Sequence, residues 1–190
     1  MSPPDTKLKI TEAALDLMLR QGYTATSVDE ICETAGVSKG SFYHFFKTKQ
    51  DIAVAALHKF FDEGMKNLLN GEYATFADPV ERAYGMIDHT AAIAPEHWRR
   101  GCLLACFANE MANTDTVLRD EVARLFREAE KGIAEVLAPL ADLTGSTPED
   151  LARQYTAVTQ GAIVLSRAYG NPSLIRDAVE QFRKSLQVPA

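Results

Sequence analysis

No stretch of this 190-residue chain approaches the run of about 18 apolar residues that would suggest a membrane span. The opening Met1-Ser2-Pro3-Pro4-Asp5 likewise lacks the apolar core of a secretion signal. These absences argue against membrane and exported classes and lead to the expectation of a soluble protein of the bacterial cytoplasm. Cysteine is scarce too: Cys32, Cys102 and Cys106 are too few and too unevenly spaced for a disulfide framework, in keeping with a reducing compartment. Without a Cys-x-x-Cys or His-x-x-x-His pair, and with four scattered histidines, the chain is expected to hold no metal and no other cofactor. Strand-like alternation of apolar and polar residues is also missing.

What is present is a globular composition, 46% hydrophobic and 24% charged, enough for a real core and incompatible with a disordered chain. The net charge of −6 by itself argues against nucleic-acid binding, because phosphate contacts need Lys and Arg. The distribution reverses that argument. Residues 1–50 carry six basic and six acidic side chains, so the whole deficit lies beyond them. Within 34–50 there is no acid at all, while Lys39, His44, Lys47 and Lys49 alternate with Phe42, Tyr43, Phe45 and Phe46. An acidic protein thus carries one local basic and aromatic patch.

Apolar residues recur at spacings of three and four, and the breaks between them carry helix start and stop signals, so the fold class is all-α with about nine helices. The first helix is expected over Lys7–Arg20, stopped by Gly22. Ser27 with Glu30 forms a capping box for a helix ending near Ala35. Ser38 caps a second short helix through Phe46, and Thr48 with Asp51 starts a long one reaching Asn70. Asp78-Pro79, Thr147-Pro148 and Asn171-Pro172 each place Pro at the first helical position behind a capping residue. Helices over Trp98–Asn113 and Asp115–Leu143 complete the set. The expected division is a DNA-binding domain over 1–50 and a ligand-binding and dimerisation domain over 51–190.

The two short helices are separated by Gly36-Val37-Ser38, and a three-residue turn containing Gly is what a helix-turn-helix requires. Its second helix enters the major groove by its N-terminal residues. Lys39 supplies charge there, Gly40 permits close approach, and Ser41, Tyr43 and His44 supply donors and acceptors. Phe42 and Phe45 are expected to face the core with Ile31 and Val37, and Lys47 and Lys49 to meet phosphates.

Thr26-Ser27-Val28-Asp29-Glu30-Ile31, then Ala35-Gly36-Val37-Ser38-Lys39-Gly40-Ser41-Phe42-Tyr43-His44-Phe45-Phe46, then Lys49 and Asp51, resemble the N-terminal signature of the TetR family of bacterial transcriptional regulators. The resemblance covers the first fifty residues. It implies a homodimeric regulator, acting as a repressor, that binds a palindromic operator in double-stranded DNA and is released by a small-molecule effector. Carried over position by position, it implies phosphate contacts by Thr26, Tyr43, His44 and Lys49, with Lys39, Gly40 and Ser41 nearest the bases and Ser38 capping.

For the effector, the expected lining is Met86, His89, Thr90, Trp98, Cys102, Cys106, Phe107, Met111, Phe126, Tyr155 and Gln160, although Met and Phe there serve equally well as core. The resemblance places the dimer contact on the last two helices, where Leu151, Val158, Leu165, Ile175, Val179 and Phe182 form long apolar faces.

Cys102 and Cys106 are expected four apart on one helix, about 5–6 Å between Cβ atoms, too far for a disulfide. Gly101-Cys102-Leu103 followed by Glu110 is similar to the electrophile- and oxidant-sensing branch typified by the repressor of N-ethylmaleimide reductase, which makes Cys102 a redox candidate. The chain departs from that branch at Ile163-Val164-Leu165, where a partner lysine is expected, and a buried cysteine acting as a small hydrophobe is the plainer reading. Two further function classes compete with a DNA-binding regulator. One is a helical enzyme using Asp88, His89 and Cys102, for which nothing fixes a nucleophile against a base; the other is a partner-binding module without DNA function.

Overall fold

A computed structural model describes residues 3–186. Among these the chain is helical throughout: α1 (Pro3–Gln21), α2 (Val28–Ala35), α3 (Lys39–Phe45), α4 (Lys49–Leu69), a 3-10 turn (Glu72–Thr75), α5 (Pro79–His97), α6 (Leu103–Met111), α7 (Thr116–Thr144), α8 (Pro148–Tyr169) and α9 (Ser173–Ser185). The starts follow the capping chemistry. Asp78 Oδ1 accepts from the amides of Val80 and Glu81, and Thr147 Oγ1 from that of Asp150, each just before a helix with Pro in its first turn. Asp51 Oδ2 accepts from the amides of Lys47 and Thr48 while Thr48 Oγ1 accepts from Asp51, which starts α4.

The boundary between α5 and α6 differs from the sequence expectation, as do the start of α1, at Pro3 rather than Lys7, and that of α9, where Pro172 is the N-cap and Ser173 the first helical residue. A helix from Trp98 to Asn113 does not form, because α5 continues through Pro95 to His97 and a turn with Gly101 at φ +95° precedes α6 at Leu103. Cys102 therefore lies outside the helix, so the expected i, i+4 relation to Cys106 does not exist. All three cysteines are free of disulfides.

The chain divides into two compact units, one of residues 1–63 with 103–125, the other of 64–102 with 126–190. The first is larger than the fifty residues spanned by the helix-turn-helix signature. Its buried side chains include Ile10, Leu17, Met18, Ile31, Phe42, Ile52, Leu57, Leu103, Phe107 and Leu118. The second unit is built on packing of α5 and α8 against α9, with a core that includes Met86, Ile87, Leu137, Leu140, Leu151, Tyr155, Val179 and Phe182. Burying a side chain of this kind contributes about 1.5–3 kcal/mol, so these clusters supply most of what holds each unit. No helix among the described residues is long and apolar enough to cross a membrane.

Candidate nucleic-acid interface

The α2–α3 pair is fixed at both ends of its turn. Ser27 Oγ accepts from the Glu30 amide at 3.2 Å, and Glu30 Oε2 accepts from the Ser27 amide at 2.8 Å, a complete capping box. The bonds from Ser27, backbone first, hold the Glu30 carboxyl below its ordinary pKa. Gly36 ends α2 at φ +65°, a left-handed geometry that a Cβ disfavours, and the Val37 amide returns to the Cys32 carbonyl at 3.0 Å. Ser38 Oγ then accepts from the Ser41 amide at 3.1 Å and opens α3.

The inward side of α3 is anchored by Phe42, which has no exposure and lies with its ring 5.8 Å from that of Phe46. With that side buried, the helix turns Lys39, Gly40, Tyr43 and His44 to solvent, followed by Lys47, while Ser41 is half-buried. Tyr43 is 52% exposed, unusual for a large aromatic and suited to a contact with another molecule. Open space surrounds Gly40, where only Ser38 Oγ would meet a Cβ, at 3.7 Å. Lys39 Nζ pairs with Asp29 Oδ1 at 2.7 Å, and the bond it donates to Asp29 raises the lysine pKa. Both groups stand in water, where such a pair contributes little to stability.

Of the residues expected at phosphates, Thr26 is turned inward and Lys49 is half-buried. Thr26 is 1% exposed, and its hydroxyl donates to the Gly22 carbonyl at 2.7 Å. Lys49 Nζ donates to the Thr24 carbonyl at 3.3 Å and stands 4.3 Å from the centre of the Tyr23 ring, where burial lowers its pKa. Phe45, expected in the core, is half-buried.

The residues expected to line an effector site are divided between the two units. In the second unit Tyr155 is fully enclosed, its hydroxyl donating to Thr90 Oγ1 at 2.7 Å, and Thr90 in turn donates to the Met86 carbonyl at 2.9 Å. Burial drives the Tyr155 pKa well above its ordinary value. Gln160 and its neighbour one turn earlier, Thr156, each have a buried side-chain oxygen without a hydrogen-bond partner. His89 lines a groove of about 630 Å³ with Tyr73, Phe76, Gly85 and Asp88, and its Nε2 lies 2.9 Å from the Asn67 carbonyl. Trp98 caps α5 beside His97, and Phe126 is half-buried. Cys106, Phe107 and Met111 belong to the first unit, where Phe107 packs its ring 5.6 Å from that of Tyr23.

Cys102 is 5% exposed, and Arg167 crowds the preceding glycine so closely that a Cβ on Gly101 would stand 2.6 Å from its Nη1. The expected dimer residues also need correction. Leu151, Ile175, Val179 and Phe182 are at most 3% exposed in the single chain and Val158 packs against its core, so they have little surface left for a partner. Leu165 is 48% exposed, and its neighbours on α8, absent from the sequence expectation, are Val164 at 56% and Tyr169 at 70%. Exposure, not hydropathy, separates the two sets.

The family model described as "Bacterial regulatory proteins, tetR family" matches residues 10–56, and that described as "Transcriptional regulator LmrA/YxaF-like, C-terminal domain" matches residues 79–181. The chain is similar to an uncharacterized HTH-type transcriptional regulator in the lacX 3' region of Lactococcus lactis subsp. lactis, 26% identical over 187 residues that cover 96% of this chain and 94% of that protein. It is also similar to the HTH-type transcriptional repressor DhaR of Mycobacterium sp. (strain GP1), 27% identical over 187 residues that cover 96% and 90%. In fold it is similar to the crystal structure of a TetR-family transcriptional regulator from Agrobacterium tumefaciens, with a TM-score of 0.83 over 98% of this chain and all of that one at 22% identity.

Proposed function

The chain belongs to the TetR family of bacterial regulatory proteins, and on that premise we propose that it is a cytoplasmic, non-enzymatic repressor that binds a pseudo-palindromic operator as a homodimer and is released by a small-molecule effector. The observation that carries this reading is the exposed face of α3. Lys39, Gly40, Tyr43 and His44 stand outward on a short helix held by Ser38 and Phe42, with Lys47 just beyond. A helix with that content and no acid presents charge to phosphates and hydrogen-bonding groups to base edges. Repression, rather than activation, is supported by the similarity to DhaR, a transcriptional repressor.

A homodimer follows from the geometry of readout. One seven-residue helix covers only a few base pairs, and two of them, spaced one DNA turn apart, gain affinity through linkage. The exposed apolar residues Val164, Leu165 and Tyr169 of α8 supply the contact surface between the two chains. Release requires an effector that binds the DNA-incompetent arrangement more tightly, typically by about 1–3 kcal/mol, and the second unit, with its polar groups set among apolar ones on α5 and α8, is the proposed receptor.

Selection of bound sequences from random duplex DNA with the purified protein tests the reading. An inverted repeat is the expected result. A folded protein that enriches nothing, even after unfolding, washing and refolding to strip any bound effector, would overturn it.

A further inference from the structure

The segment from Gly22 to Thr26 links α1 to the helix-turn-helix and lies outside regular structure, so its backbone groups need partners from elsewhere. Its carbonyls have them: Gly22 accepts from the Thr26 hydroxyl at 2.7 Å, Tyr23 from the Thr26 amide at 3.1 Å, Thr24 from Lys49 Nζ at 3.3 Å and Ala25 from Gln21 Nε2 at 3.0 Å. The amides of Tyr23 and Thr24 both point to one carboxylate. Glu110, on α6, accepts from Tyr23 through Oε2 at 2.9 Å and from Thr24 through Oε1 at 2.6 Å. A two-oxygen acceptor grips two successive amides in one orientation, and bonds to an ionised group are the stronger kind.

The local sequence accommodates that grip. Gly22 sits at φ +85°, and a Cβ there would stand 2.9 Å from Glu110 Oε2, so both the turn and the approach of the carboxylate call for glycine. Phe107, one turn before Glu110, places its ring against Tyr23, and Lys49 covers the same tyrosine. Burial pushes the Glu110 pKa up, but the bonds from Thr24 and Tyr23, with Lys49 nearby, outweigh it and hold the carboxyl below its ordinary value.

We infer that Glu110 is a positioning residue for operator binding: by clamping the Tyr23 and Thr24 amides it sets the entry of the chain into α2, and so the placement of the α2–α3 pair, without touching DNA. The inference rests on the operator-binding reading proposed for α3. It makes a prediction of unusual sign. Removing an acid from a protein that binds a polyanion tightens binding if electrostatics alone operates. Loss of a positioning bond weakens it.

The test is a titration of the full-length protein with the duplex it selects, comparing wild type, Glu110→Gln and Glu110→Asp below the melting temperature of each. Gln keeps the shape and removes the charge; Asp keeps the charge and draws the carboxylate back by one methylene. Positioning predicts that both variants raise the operator Kd by about tenfold or more, the scale of one hydrogen bond to a charged group. It also predicts that the Tyr23 and Thr24 amides lose protection from hydrogen exchange. Tighter binding by Glu110→Gln with wild-type binding by Glu110→Asp, or unchanged Kd values alongside a lowered melting temperature, would overturn the inference. If wild type itself selects no duplex, the operator reading fails first and this one with it.

Discussion

Two parts of the molecule treat their polar groups in opposite ways. In the turn from Gly22 to Thr26, the carbonyls of residues 22–25 and the amides of Tyr23 and Thr24 are paired, using side chains as distant in sequence as Lys49 and Glu110. On the flank of α8, Thr156 and Gln160 bury side-chain oxygens that are not paired, although Tyr155 and Thr159 on the same helix are. An unsatisfied buried group costs about 1–3 kcal/mol, so the second pattern is stability given up. DNA offers a backbone of fixed geometry, which a rigid, internally completed turn can meet. A receptor for a small molecule gains from polar groups that prefer the ligand to the chain's own atoms.

The largest effect that breaks this contrast is expected at Gly22. Gly22→Ala forces a left-handed backbone, at about 1–2 kcal/mol, and drives Cβ into Glu110 Oε2, so the total is about 3 kcal/mol with the lost hydrogen bonds. Gly36 is equally left-handed at φ +65° but meets nothing within 4 Å, so Gly36→Ala loses only the backbone term, about 1–2 kcal/mol. Equal losses in denaturant titration would mean that the clamp adds nothing. In the second unit the signs divide. Tyr155→Phe removes a hydroxyl with a partner and lowers stability by about 1 kcal/mol, whereas Thr156→Val removes one without and raises it by a similar amount. A loss at Thr156 would erase the distinction.

What the sequence makes legible follows from the range of the interactions. The ends of α2 and α3 can be read because Ser27, Glu30, Gly36 and Ser38 act within three residues of themselves. The α5–α6 boundary cannot, because Pro95 is tolerated inside α5 and the stop comes from the turn holding Gly101. The basic face of α3 is visible in composition, but the inward placement of Thr26 and the bond from Lys49 to the Thr24 carbonyl are not. Glu110 is hidden for a stronger reason: it is 86 and 87 residues from the amides it holds, and a backbone amide leaves no mark in a sequence. On α8 the periodicity gives apolar residues on several faces, and only burial separates Leu151, inside, from Leu165, outside.

Acid sharpens the same comparison at its smallest expected amplitude. His97, in the second unit, has its pKa lowered by burial, whereas the usual value is 6.5. Above 6.5 the ring is neutral in both folded and unfolded chains and contributes nothing. As pH falls below 6.5 the unfolded chain takes the proton first, so stability declines until the folded-state value is passed. Glu110, in the first unit, behaves in a lower window: its contribution is complete above 4.5, the ordinary carboxyl value, and is lost as pH falls through its own depressed value. Melting followed from pH 8 to below the depressed Glu110 value is therefore expected to show an early decline that His97→Gln removes, and a later one, below 4.5, that Glu110→Gln diminishes. If His97→Gln leaves the early decline intact, the buried imidazole is not its source, and acid does not act on the two units in that order.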